Sequence, residues 1–397
     1  MELKQADKFL FKTLYFSVAG VVIFQALDIS RLTSILFTLT FPLTVLLWLR
    51  SVRKKISMLD ILTLITSVTS IVFVLLNAMV QNADLNLSYM RKVIMFVMAL
   101  LFLQTSYRMR VERSMITFVN GVVDFLTLFL IAMYFVRNEQ MHMFHDHVSL
   151  YLTFGFENPN TTGMFLSCLY MLELYRLFSP ERWYIKILHI VMAVFMALFV
   201  LETQARNSLL IISLFTLVCA LLIFRGRKNM RMKPFWSVVL ACFPALFAWG
   251  YLAVVEMDWF AKVFAFLTGE GKTLNARVKI WSDAWTKLKE SPLIGAYHQI
   301  SNGTGMSQMH NTHVDIASSY GWLVLVAVCV LLGNYFYQKG RVYKDKESYI
   351  YILGFACAVM LGIGEAALFS GGLGIYVFVA TFLLLSNATE AEQPKTV

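Results

Sequence analysis

Charge is scarce in this chain. Asp, Glu, Lys and Arg make up 15% of its 397 residues, where a soluble domain carries about a quarter. Set against 58% hydrophobic residues, that shortage excludes a water-soluble fold and fits a surface that faces lipid. Metal-ligand spacing is missing among the five cysteines, Cys168, Cys219, Cys242, Cys329 and Cys357. Each falls in an apolar run, so they read as buried small hydrophobes with no disulfide. A nucleic-acid-binding patch is missing too. The formal charge of +10 is dispersed in short clusters between apolar runs, as orientation signals are in membrane proteins, and no nucleic-acid partner is expected. The apolar runs are continuous rather than alternating, which excludes a strand barrel. No repeat relates the two halves of the chain. No A-x-A pattern follows the first apolar run, so the first span is expected to be retained.

What is present is a succession of runs of about 20 apolar residues, each long enough to cross the hydrocarbon. They predict an all-α, polytopic integral membrane protein of about 12 transmembrane helices, a single transmembrane domain over 1–397. The expected spans are 11–28, 32–49, 58–80, 90–107, 115–136, 160–178, 184–203, 206–224, 235–255, 312–336, 349–366 and 368–387. Charge tests the count. With the N-terminus cytoplasmic, Lys4, Lys8 and Lys12 lie inside, followed by clusters at 50–55, 108–113, 176–186, 225–233 and 339–346. Every second connection is basic, so both termini are expected in the cytoplasm. Two outer segments are longer than a turn: residues 137–159, and a long extracytoplasmic loop at 256–311. Within that loop Val278, Trp281, Trp285 and Leu288 share one helical face, and Lys279, Asp283, Lys287 and Glu290 share the other. This predicts an amphipathic helix near 275–290 lying along the outer membrane interface, ended by Pro292 and Gly295.

Several residues are out of place in such a chain. Arg206 stands at the outer junction of two expected spans, where an arginine is either functional or snorkels or pairs with Glu202. Arg277 opens the amphipathic helix on its apolar side beside Trp281, a position that calls for an anion, either a substrate or a lipid phosphate. His310 and His313 open the tenth expected span, and three-residue spacing on a helix puts both imidazoles on one face. Either can exchange a proton near neutral pH; the alternative is a pair of ordinary interface histidines. His142, His145, Asp146 and His147 resemble a metal site or a run of solvated loop residues. Asp124, four residues after Asn120 in mid-span, reads as structural polar glue. Glu365, amid Gly362, Gly364, Gly371 and Gly372, is a candidate to line a cavity. Arg206, Arg277, His310 and His313 converge on the outer face. Two arginines can hold a pyrophosphate and a histidine can deprotonate a hydroxyl; together these would move a group off a phosphate-linked donor.

The order of these motifs resembles the bacterial O-antigen ligase and Wzy-type polysaccharide polymerase superfamily. Thr203-Gln-Ala-Arg206-Asn-Ser208 matches that family's small-residue and arginine motif at the start of a span. Arg277, Trp281, Ala284, Pro292 and Gly295 match its long outer loop, and His310, Asn311 and Gly321 its His-Asn pair with a later glycine. Gly155-Phe-Glu-Asn158-Pro159-Asn160 looks like polymerase members. Two departures are Gly295-Ala296-Tyr297 in place of Gly-x-Gly, and Ala205 in place of a serine. The resemblance implies a metal-independent, inverting glycosyltransferase of the C-type membrane fold that needs no cofactor. Its donor would be a glycan on undecaprenyl pyrophosphate. Arg206 and Arg277 would hold the pyrophosphate and His310 would be the general base, with His313 orienting the acceptor or sharing that role. Trp281, Asn311, Glu365 and Asn160 would support the site.

The expectation drawn from these features is a polymerase joining lipid-linked repeat units at the outer face of the bacterial cytoplasmic membrane, with membrane lipid around it and room for a chain-length-regulating partner. A ligase of the same superfamily is the first alternative. A transporter or flippase is the second, although transporters place polar sites at mid-membrane.

Overall fold

The structure is a computed structural model that describes residues 5–53, 56–80, 87–109, 111–145, 149–156, 158–179, 181–225, 232–255, 257, 272–296, 309–342, 346–366, 368–369 and 373–391. Its order is α1 (Gln5–Ala26), α2 (Ser30–Val52), α3 (Met58–Val80), α4 (Leu87–Arg108), α5 (Arg113–Val136), a single turn α6 (Asn138–Met141), strands β1 (His142–His145) and β2 (Ser149–Leu152), then α7 (Pro159–Tyr175) and α8 (Trp183–Glu202). There follow α9 (Arg206–Arg225), α10 (Pro234–Val254), α11 (Lys272–Glu290), α12 (Thr312–Tyr320), α13 (Trp322–Val342), α14 (Lys346–Leu361) and α15 (Leu373–Ala391). Among the described residues eight helices are long and apolar enough to cross a membrane: α1 to α5, α8, α10 and α13. The protein is an all-α, multi-pass membrane protein, and the two strands form one short antiparallel hairpin pairing His142 with Leu152.

Helix α3 shows why these segments need lipid. Ile61, Leu64, Ile65, Val68, Val72 and Leu75 are exposed and recur at helical spacing along one face. The opposite face buries Asp60, Thr63, Ser67, Ser70 and Asn77. In water that polarity would be inside out. In a bilayer, small and polar residues are the ones that let helices approach and hydrogen bond. Such bonds tie distant segments together: Tyr15 Oη to Thr381 Oγ1 at 2.9 Å, Tyr335 Oη to Gln104 Oε1 at 2.6 Å, and Asn77 Nδ2 to the Gly295 carbonyl at 2.6 Å. Each contributes only about 0.6 kcal/mol, so close packing must supply the rest.

Helix α7 is the centre of the bundle. Nearly every side chain from Thr162 to Glu173 is buried, and it packs on α5, α8, α9, α14 and α15. A helix apolar on all sides belongs in the interior. Gly163 permits one of these approaches. A Cβ there would lie 2.4 Å from the Ala205 Cβ and 2.9 Å from the Thr203 Oγ1, so α7 can touch the α8–α9 turn only through glycine.

Two expectations change. The span expected at 312–336 is two helices, α12 and α13, broken at Gly321. Its φ of +83° is unfavourable for any residue with a Cβ, and an added Cβ would sit 1.9 Å from the Leu293 carbonyl oxygen. The segment after α11 docks into the break, with Trp322 N–H donating to the Pro292 carbonyl at 2.9 Å and Ala296 N–H to that of Ser318 at 2.8 Å. The second change concerns the apolar face of α11, expected against the membrane interface. Ile280, Trp281, Ala284 and Leu288 are buried in protein, and this face packs on α10 and α12. Buried indole needs an acceptor for its N–H, and Trp281 Nε1 donates to the Met309 carbonyl at 2.9 Å. Trp285 remains partly exposed, its ring 5.7 Å from that of Trp249 and 5.6 Å from that of Trp322.

Candidate active site

At one end of the bundle a cavity of about 260 Å³ is lined by Tyr151, Asn160, Arg206, Arg277 and Glu365, with the Thr203–Ser208 turn as one wall. Five separate parts of the chain build it. Asn160 comes from the first turn of α7, where the Asn158 side chain caps the helix by accepting from Asn160 N–H at 2.8 Å and Pro159 occupies the first helical position, both ordinary start signals. Arg206 is the first residue of α9. Gln204 before it takes a left-handed φ of +54°, which turns the chain sharply from α8 into α9. Arg206, Asn207 and Ser208 all line the cavity, so the first turn of α9 borders it together with an arginine. That is an anion site by dipole and by hydrogen bonding.

Glu365 organises the opposite wall. Its side chain is 4% exposed and accepts three donors from three segments. Oε1 accepts from Asn160 Nδ2 at 2.8 Å and from Arg277 Nη2 at 3.3 Å. Oε2 lies 2.9 Å from His310 Nδ1. An ionised carboxylate only accepts, so Nδ1 carries the proton and Nε2 is left as the basic nitrogen of His310. The anion called for beside Arg277 is thus Glu365 itself.

His310 and His313 do not share a helical face. Helix α12 begins only at Thr312, and Asn311 is its N-cap, accepting from His313 N–H at 3.0 Å and Val314 N–H at 3.1 Å. His310 therefore precedes the helix, in a left-handed conformation with φ of +47°. Such backbone strain is held in place only when the surroundings over-determine it. Here they do. Met309, just before it, is fixed on both sides: its carbonyl accepts from Trp281, and its N–H donates to Asp315 Oδ1 at 3.3 Å. Asp315 is in turn paired with Lys92 of α4 at 2.9 Å. His313 points the other way. It is fully buried, and its Nε2 donates to the Ala241 carbonyl of α10 at 2.8 Å. Neither histidine lines the cavity, and His310 is joined to it through Glu365.

The remaining candidates divide. Asn311 also donates to the carbonyls of Pro244 and Ile363 at 2.9 and 3.1 Å, which joins α10, α12 and the end of α14. Trp281 holds Met309 and does not touch the cavity. Glu202 accepts from Tyr134 Oη at 2.7 Å and lies 3.5 Å from His142 Nε2. His142 Nδ1 donates to the Asn138 carbonyl at 2.8 Å. Asp146 and His147 of the histidine-rich loop lie outside the described residues, as does the side chain of His145. Asp124 lies 3.4 Å from Arg176 at the end of α7.

Sequence reasoning missed two features: the joining role of Glu365 and the Lys92–Asp315 pair. No curated protein matches the chain. A family model does, and its range takes in Arg206, Arg277, Trp281, His310, Asn311 and Gly321 while stopping short of Glu365. Residues 191–329 match the O-Antigen ligase family, so this part of the chain is similar to that family, and the resemblance read from the motifs is borne out there.

Proposed function

We propose that the protein is a polymerase that joins lipid-pyrophosphate-linked oligosaccharide repeat units at the outer face of the bacterial cytoplasmic membrane. The observation that carries the reading is the shared cavity wall. Arg206 and Arg277 line one space beside the first turn of α9, and Glu365 connects that space to His310. Arg206, Arg277 and the α9 N-terminus bind the pyrophosphate of the donor and offset the charge that grows on it as it leaves. The acceptor hydroxyl oxygen attacks the anomeric carbon from the opposite side. The bond from that carbon to the phosphate oxygen breaks, and the pyrophosphate departs with the electron pair. The hydroxyl proton passes to Nε2 of His310, and Glu365 stabilises the resulting imidazolium through Nδ1. Inversion follows from the single displacement.

Orientation follows from charge. Arg50, Arg108, Arg176 and Arg225 end their helices on the side away from the cavity, which the positive-inside rule assigns to the cytoplasm. Both termini then lie inside and the undecaprenyl-type donor enters from the outer leaflet. The gathering of Arg206, Arg277 and Glu365 around one cavity at an end of the bundle favours group transfer over transport, which calls for a substrate site near mid-membrane.

A second reading, a ligase handing finished glycan to another acceptor, is favoured by the description of the matching family. A deletion strain complemented with wild type, Arg277→Ala or His310→Ala separates these functions once membrane levels are matched. On the polymerase reading wild type restores a long glycan ladder and both variants leave single repeats. Full-length glycan retained on its lipid carrier in the variants indicates the ligase. Normal ladders with both variants overturn the active-site assignment.

A further inference from the structure

Away from the cavity the bundle holds a second polar cluster. Asp124 of α5, Glu173 of α7 and His189 of α8 bring their ligand atoms within 4.8 Å of one another. His189 Nδ1 lies 2.7 Å from Glu173 Oε2 and 4.0 Å from Asp124 Oδ1, and its Nε2 lies 3.3 Å from Glu181 Oε2. Glu173 and His189 are almost wholly buried, with side chains 0% and 2% exposed. Three buried atoms of the cluster, Glu173 Oε1, Glu181 Oε2 and His189 Nε2, have no hydrogen-bond partner. Glu173 is about 20 Å along α7 from Asn160, at 1.5 Å per residue, so the cluster takes no part in the cavity.

Its charges do not balance. Asp124, Glu173 and Glu181 are acidic, and Arg176 is the cation paired with them, 2.6 Å from Glu181 and 3.4 Å from Asp124. Three carboxylates thus share one arginine among membrane-spanning helices, where uncompensated charge is costly. One divalent ion cancels it and gives the unpartnered oxygen of Glu173 something to bind. One imidazole nitrogen with carboxylate oxygens suits zinc or manganese.

We propose that Asp124, Glu173 and His189 bind a divalent first-row metal ion, zinc or manganese, that ties α5, α7 and α8 together. The test uses the full chain in detergent, purified on a tag without histidines, stripped with EDTA and reloaded with Zn²⁺ or Mn²⁺. Elemental analysis is expected to find about one ion per folded chain and a rise in unfolding temperature on loading. Glu173→Gln and the less buried Asp124→Asn should each lose the ion and the temperature rise. X-ray absorption of the zinc-loaded wild type, which needs no variant, should show a single imidazole nitrogen among oxygens. A folded wild type that holds no ion overturns the proposal and leaves bound protons as the neutralising charge. Wild-type occupancy in both variants also overturns it, as does a spectrum with several imidazoles, which would place the metal at the His142–His147 hairpin.

Discussion

Replacing Glu365 by Gln changes one oxygen to an amide nitrogen and almost nothing in volume, so the response reports on protons and charge. The amide oxygen can still accept from Asn160 and Arg277, although the charge-assisted part of the second bond goes. Hydrogen bonds to charged groups contribute about 1.5–3 kcal/mol and neutral ones about 1. Arg277 is a quarter exposed, so the stability cost belongs at the low end, about 1–2 kcal/mol. The kinetic cost is larger. The amide N–H₂ faces Nδ1 of His310 and can only donate, which drives the imidazole proton to Nε2 and blocks the base. An equivalent change in the serine protease triad lowers kcat about 10⁴-fold, and a fall of about 10³- to 10⁴-fold is expected here. The assay is single-turnover transfer from a purified lipid-pyrophosphate donor, with donor affinity measured separately. Affinity should change less than about tenfold, because Arg206 and the α9 N-terminus are untouched. Activity within about tenfold of wild type would refute the tautomer argument. So would a Glu365→Gln, His310→Ala double variant whose loss is the product of the two single losses, since groups acting as one unit do not add.

Further expectations concern the parts that hold this pair. Arg277→Lys keeps the charge but loses the planar fork, and donor affinity should fall about 10-fold, against about 100-fold for Arg277→Ala, at 1.4 kcal/mol for each factor of ten; equal affinities would show that Arg277 does not hold the pyrophosphate. Asp315→Asn removes the charge paired with Lys92 and loosens Met309, which should lower kcat about 10- to 100-fold through misplacement of His310 with donor affinity preserved. Asn311→Ala removes the α12 cap and two further buried bonds and should cost about 2–4 kcal/mol, read as loss of folded protein by fluorescence-detected size exclusion. Gly321→Ala should abolish folded protein altogether, because the backbone must move to relieve a contact with the Leu293 carbonyl.

How much of this was legible in the sequence depended on distance along the chain. The helices of the bundle were, because each apolar run declares itself. Arg206 and Arg277 were too, since an arginine stands out in a chain so poor in charge. The role of Glu365 was hidden, because its donors lie at Asn160, Arg277 and His310 and only folding brings them together. The shared face of His310 and His313 failed for a local reason: it assumed a continuous helix, and Asn311, a favoured capping residue, was the sign that the helix starts after His310. The broken tenth span likewise turned on one residue, Gly321 within an apolar run. Glu173 carried a signal that went unread, a lone carboxylate inside an apolar stretch.

The ion pair of Glu365 with Arg277 bears on how the cycle ends. An enzyme of the proposed kind must let go of a doubly anchored pyrophosphate lipid after each transfer, and tight anion capture would make that departure slow. A resident carboxylate competes for the same guanidinium, so Arg277 keeps a charge partner when the product departs. The contact that lowers affinity for the donor therefore speeds clearance of the spent carrier, and the length of glycan made in a given time depends on that exchange as much as on bond formation.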